Sequence, residues 1–278
     1  MTSDCTQNYV ANRHSNCIQT KYTYSTNAIV LAFESGRVRH KLMKSDRQIH
    51  CFNDLKRRVL ELEIAPGTPL DEVALSAVYG LSRTPLREVL QRLSGEGYVY
   101  IAANRGASVS SMDLNIMRSF FQTAPMIYTA VSRLAAENAV PHQIIALKKI
   151  QSRFQKAVRQ SAATDMNLWN HSFHEVVGTM AGNPYLLPSL NRLLIDHTRM
   201  SHRFYRPRQE EGRKRVALAC EQHDAMIAAI EAGDAELSAE LAREHWELSR
   251  REIEKYVQPD PLPVDGQFDE LWKRTNAL

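Results

Sequence analysis

The chain has 278 residues, enough for two domains that each bury a core without covalent staples. Apolar residues make up 44% and charged residues 24%, and no apolar run approaches the roughly 20 residues that cross a bilayer, which excludes a disordered chain and a helical membrane protein. The net charge of +4 permits contact with a phosphate backbone without requiring it. The four cysteines, Cys5, Cys17, Cys51 and Cys220, form no Cys-x-x-Cys pair, so neither a disulfide framework nor a thiolate zinc knuckle is expected. Met1 to Val10 lack the layout of a secretion signal, and a cytoplasmic location is the expectation.

Residues 1–44 show no sustained period and read as a flexible N-terminal extension; Met43, just before the first helical pattern, marks an alternative start. From Ile49 to Leu62 apolar residues recur at helical spacing, and Pro66-Gly67 then forces a turn. A second short helix follows Asp71, an N-cap residue type, and closes at Gly80. Ser82 is placed to cap a third helix, with Pro85 in its first turn and Leu86, Val89, Leu90 and Leu93 as its buried stripe. Tyr98 to Ile101, a turn at Asn104-Arg105-Gly106, and Ala107 to Ser110 predict a two-stranded hairpin. From Met112 to about Val257 the pattern is helical, broken near Pro141, Gly182-Asn183-Pro184, Pro207 and Gly233-Asp234. The proline-rich stretch from Gln258 predicts an extended C-terminal tail, residues 258–278, with a last short turn around Phe268 to Trp272.

Two short helices joined at Gly80-Leu81-Ser82 and followed by a hairpin describe a winged helix-turn-helix, in which the last helix enters the major groove. Arg83 and Arg87, four apart, share a face at the start of that helix beside Thr84, and Arg105 at the wing tip adds a third cation next to Gly106. Two arginines at a helix N-terminus oppose the macrodipole slightly, so their presence points to an anionic partner. The expected fold class is mainly α: an N-terminal winged helix-turn-helix over 45–111 and a C-terminal all-helical bundle over 112–257.

The stretches Ala65-Pro66-Gly67-Thr68-Pro69-Leu70, Gly80 to Leu93 and Glu96-Gly97-Tyr98-Val99 closely resemble the GntR family of bacterial winged-helix regulators. The resemblance implies that Arg83, Thr84, Arg87 and the wing residues Arg105 and Gly106 contact operator DNA. A further arginine of that family, on the second helix, is matched here by Val73.

The helical region resembles the effector-binding domain of the FadR-like branch, the FCD type, through Asn170-His171-Ser172-Phe173-His174, Gly182 to Leu186, Glu221-Gln222-His223-Asp224, Ala228 to Asp234 and His245. The resemblance implies a divalent metal, zinc or nickel, held at Asn170, His174, His223 and His245, with Asn170 standing where members carry an aspartate. Taken by themselves, positions 170 and 174 share a helical face and imidazole suits such ions; direct binding of an anionic effector by the imidazoles, or a hydrated polar pocket, remain open on spacing alone. Ala124 and Tyr128 replace an arginine and a glutamate common in the family, and Arg199 and Arg203 are the alternative cations for an effector.

The resulting expectation is a non-enzymatic, homodimeric transcription regulator that binds a palindromic double-stranded operator and senses a small metabolite, an organic acid, through the helical domain. The competing expectations are a metal-dependent hydrolase targeted to DNA, which needs a carboxylate base beside the imidazoles, and a regulator with a purely structural metal.

Overall fold

A computed structural model of the chain describes residues 44–103, 105–207 and 209–257. The expected extension and tail lie outside the described residues, as does Asn104 of the wing turn.

The head begins with α1 (Lys44–Leu60), which ends two residues before the sequence pattern does, where Leu62 turns to a φ of 58°. β1 (Pro69–Leu70) leads into α2 (Glu72–Tyr79), whose N-cap Asp71 accepts from the backbone N–H groups of Val73 and Ala74. Gly80 ends α2 at a φ of 60°, a left-handed conformation that costs a residue with a Cβ. Leu75 and Tyr79 are the buried residues of α2, whereas Val73 and Val78 are exposed.

α3 (Arg83–Gly95) buries Pro85, Leu86, Val89, Leu90 and Leu93 as expected. Ser82 occupies its N-cap without a side-chain capping bond. β2 (Val99–Ala102) and β3 (Gly106–Val109) form the wing, and the sheet is three-stranded rather than two-stranded, in the order β1-β3-β2. The third strand is the Pro69–Leu70 pair, antiparallel to β3 with Pro69 opposite Ser108. A proline has no N–H to give a ladder and is tolerated at such an edge.

Six helices follow: α4 (Leu114–Asn138), α5 (Pro141–Arg159), α6 (Ala163–Met180), α7 (Leu186–Met200), α8 (Glu210–Ala232) and α9 (Ala235–Val257). The break between α5 and α6 carries no glycine or proline and is absent from the sequence pattern. Ser161 adopts a φ of 53°, and bonds from Ser161 N–H to Val158 O and from Ala162 N–H to Ala157 O satisfy the last carbonyls in a Schellman arrangement with serine in the glycine position. α4 and α9 lie close enough for Ser132 and Ser238 to exchange side-chain-to-backbone bonds at 3.0 and 2.9 Å.

α6 is the central element. Residues 166–174 are all buried, and polar side chains on its different faces serve different neighbours. Asn167 donates to Thr198 O, and His171 Nδ1 meets Thr198 Oγ1 at 2.8 Å, so that face belongs to α7. Asn170 and His174, one turn apart, share another face. A Cβ on Gly178 would sit 2.3 Å from a Leu190 methyl, which shows how closely α6 and α7 pack.

Head and bundle share a core. Leu168 of α6 and Ile195 of α7 pack among Phe52, Leu55, Leu86 and Leu90 of the head. Lys56 reaches Glu175 at 3.2 Å, and Glu61 receives His202 at 3.5 Å and Arg206 at 3.7 Å.

Candidate nucleic-acid interface and metal centre

Arg83, Thr84 and Arg87 are exposed together at the start of α3, as its periodicity requires once Pro85 and Leu86 face the core. Arg87 Nε lies 2.9 Å from Glu72 Oε2, a surface pair that holds the guanidinium along α2. Arg105 and Gly106 are exposed at the tip of the wing, and Gly106 has a φ of 74° that closes the hairpin turn. Arg47 of α1 donates to Gly80 O at 2.8 Å and adds a fourth cation near the helix junction. Val73, exposed on α2, presents a methyl surface on the same head.

In the bundle, His174 of α6, His223 of α8 and His245 of α9 converge. One ligand atom from each falls within 4.8 Å of the others. The ring centroids are 4.7 Å apart for His223 and His245, 5.3 Å for His174 and His245 and 5.5 Å for His174 and His223. All three are buried, and no cysteine, aspartate or glutamate joins the group among the described residues. Asp224, adjacent to His223 in the chain, instead accepts from the side-chain amides of Gln151 and Gln155.

The hydrogen bonds around the cluster select a metal-competent tautomer. His223 Nδ1 lies 3.1 Å from Gln151 Oε1, and His245 Nδ1 lies 3.0 Å from Gln222 Oε1. An amide oxygen only accepts, so each Nδ1 carries the proton and each Nε2 keeps its lone pair. His174 Nε2, His223 Nε2 and Asn170 Oδ1 are buried with no hydrogen-bond partner. Burial pushes His245 down to about 4 and holds His174 and His223 well below the usual imidazole range, so the rings are neutral near pH 7. Three neutral imidazoles and a carbonyl oxygen, with His174 Nε2, His223 Nε2 and Asn170 Oδ1 otherwise unsatisfied, fit a borderline divalent ion.

The sequence profile for bacterial regulatory proteins of the gntR family matches residues 50–109, and that for the FCD domain matches residues 124–248. The chain belongs to the GntR family. Among curated relatives, this GntR-family chain is 28% identical over 128 residues to the Nta operon transcriptional regulator of Aminobacter aminovorans and 28% identical over 127 residues to the HTH-type transcriptional repressor RspR of Escherichia coli. Each alignment covers 46% of this chain, and 60% and 56% of those relatives' lengths. A longer alignment, at 22% identity over 81% of this chain and 86% of the relative, reaches the gluconate operon transcriptional repressor of Bacillus licheniformis. The fold matches that of E. coli McbR/YncC with a TM-score of 0.62 at 20% identity, covering 76% of this chain and 99% of that one.

Of the cations expected to serve an effector, neither stands in the imidazole cluster. Arg199 is fully buried, donating to Ser110 O at 3.0 Å and lying 3.5 Å from Asp196; burial pushes it down to about 10, which leaves it charged. That bond joins α7 to the head, while the Arg199 Nε and Nη2 are buried with no hydrogen-bond partner. Arg203 is exposed in the turn after α7.

Sequence reasoning missed His197. This residue of α7 is buried, with its ring centroid 6.2 Å from His174 and its Nδ1 2.8 Å from Tyr128 Oη. It also missed Gln151, the amide that orients His223 from α5. A lone histidine or glutamine in an amphipathic helix carries no signal until its neighbour across the bundle is known.

Proposed function

We propose that this chain is a metabolite-responsive, DNA-binding transcription regulator that acts as a homodimer on a palindromic operator. The observation that carries the DNA-binding reading is the exposed Arg83-Thr84-Arg87 group at the head of α3 beside the Arg105 wing. Guanidinium groups in that position pair with guanine O6 and N7 or grip phosphate, while the wing reaches the neighbouring backbone. The relatives named as transcriptional regulators and repressors support the same reading.

In this proposal His174, His223, His245 and Asn170 hold a divalent metal, zinc or nickel, which supplies a Lewis-acidic position for an oxygen of the effector. Gln151 and Gln222 fix the tautomers of His223 and His245. Among the described residues no carboxylate stands in the group to act as a base, which favours this reading over hydrolysis. α7 links this centre to the head: His197 lies beside the imidazoles, while Arg199 of the same turn donates to Ser110 of the head. An effector that binds two head arrangements unequally shifts their populations and so the spacing of two recognition helices.

Selection of duplexes from a randomised pool by the purified protein tests the reading. Enrichment of a two-fold symmetric site, bound at a protein-to-duplex ratio of about two to one, is the expected result. Binding without sequence preference sinks it. Metal analysis of the same preparation tests the centre separately.

A further inference from the structure

A groove between α4 and α7 has a volume of about 640 Å³, within the roughly 300–1,000 Å³ of small-molecule sites, and no candidate metal ligand lines it. One wall is polar by helical spacing, because Asn115, Ser119 and Thr123 follow one another at every fourth position of α4. The facing wall carries Ser189, Arg192 and Asp196 of α7. Asp196 is the unexplained group. Its side chain is 5% exposed, yet its Oδ1 has no hydrogen-bond partner. Arg192 lies 2.9 Å from the other carboxylate oxygen and Arg199 lies 3.5 Å from Oδ1, and even so burial raises the carboxyl above its ordinary value. Buried polar atoms nearly always have partners in native proteins, so this oxygen marks a place where a donor belongs.

We propose that this groove is a second small-molecule site, separate from the imidazole cluster, which takes a neutral polyhydroxylated ligand, a sugar or a polyol. Three acceptors define it. Ser119 Oγ donates to Asn115 O at 3.0 Å and Ser189 Oγ donates to Tyr185 O at 3.1 Å, so each hydroxyl offers the groove only its lone pairs. Asp196 Oδ1 is the third. An anion would meet lone pairs on both walls. A cation would meet Arg192 and Arg199, two positive charges against one carboxylate. What fits is an uncharged molecule that brings several donors. Its hydroxyl oxygens also accept, from the Arg192 guanidinium and the Asn115 amide, and Ile116 and Leu193 supply apolar surface for its C–H faces.

The groove also abuts the head. Arg192 lies against Gly97 at the base of the wing, and Asp196 stands between Arg192 and Arg199, whose guanidinium holds Ser110 O. A ligand that donates to Asp196 therefore acts on the contacts that join α7 to the head and changes operator affinity without the metal centre. That link rests on the regulator reading above; binding in the groove does not.

The test is calorimetric titration of the full-length protein with glucose, ribose, sorbitol and myo-inositol, against gluconate and glucosamine as charged counterparts. At least one neutral compound is expected to bind, more tightly than either charged one, with an affinity that neither added zinc nor a chelator alters. Asp196→Asn should weaken that binding about tenfold, and Ser119→Ala, at an exposed position, by a smaller factor. Ser189→Trp fills the groove from an exposed position and should abolish it. If Asp196→Asn fails to fold, Ser119→Ala and Ser189→Trp decide alone. A wild type that binds none of the neutral compounds overturns the proposal, as does tighter binding of gluconate or glucosamine. Binding that survives Ser189→Trp, or that chelation removes, places the ligand elsewhere and overturns it too. Operator affinity measured with and without the saturating neutral compound then tests the link to the head: a difference supports it, and equal affinity overturns that link while leaving the site.

Discussion

Arg199 Nη1 donates to the carbonyl oxygen of Ser110 at 3.0 Å, so a buried guanidinium of α7 grips the residue that follows the wing. Ser110 is held again from within the head, where its hydroxyl donates to Gly97 O at 2.7 Å. Gly97 is in turn so close to α7 that a Cβ there would meet Arg192 Cδ at 2.9 Å. Head and bundle are therefore joined through α7. Arg199→Met fills the same space without the bond and is expected to cost about 1.5–3 kcal/mol of stability, read as a lower urea midpoint. The same variant should keep effector binding but lose the effector's influence on operator affinity, which titrations with and without effector would show.

Arg83→Ala and Arg87→Ala should each weaken operator binding by about 1–3 kcal/mol if the side chain reads a base. Arg87 is also tied to Glu72 in the free protein, so Glu72→Ala should leave affinity equal or improve it. Fluorescence anisotropy at one fixed salt concentration measures all three. Full affinity in both arginine variants would remove α3 from the interface.

Arg105→Ala should weaken binding to operator and unrelated duplex alike. If the wing tip neutralises one phosphate, the slope of log affinity against log salt becomes shallower by about 0.9. A loss confined to one sequence would instead assign Arg105 to base readout in a groove.

Gln151→Leu removes the oxygen that accepts from His223 Nδ1 and frees the ring to change tautomer. Metal affinity should fall about 10–100-fold, as for other outer partners of metal-bound histidines, whereas His223→Ala should abolish binding. Competition with a chromogenic chelator distinguishes the two. Equal affinity in Gln151→Leu and wild type would contradict the assignment.

The Asp54 carboxylate supplies a pH dependence inside the head. Burial alone would raise it, but the Tyr79 hydroxyl at 2.6 Å and the nearby Arg57 and Arg58 outweigh burial and hold it below its ordinary value of 3.8. A depressed carboxylate adds stability that is complete above 3.8 and is lost as pH falls through the folded value. Tyr79→Phe removes one cause of the depression. Its destabilisation should therefore be larger at pH 7 than near pH 3, by thermal unfolding at both; a difference of equal size at the two values would exclude Asp54 as its source.

The head is legible in the sequence because its signals are local. Asp71 caps, Gly80 and Gly106 turn left-handed, Pro85 sits where no N–H is needed, and the apolar stripe of α3 leaves Arg83 and Arg87 outside by periodicity alone. The small edge strand at Pro69–Leu70 escapes because two residues carry no alternation. The helix break at Ser161 escapes because serine there adopts the left-handed conformation usually left to glycine.

In the bundle the sequence by itself determined that Asn170 and His174 share a face, since 3.6 residues per turn place them there, and that further imidazoles stand on later helices. Only the tertiary structure decided that His223 and His245 meet His174, that His197 stands beside them, and that Arg199 reaches Ser110 of the head. The reason is geometric. Periodicity states which face of a helix is buried, but a helix such as α6 is buried on every side, and which neighbour each face meets depends on crossing and register between helices far apart in the chain.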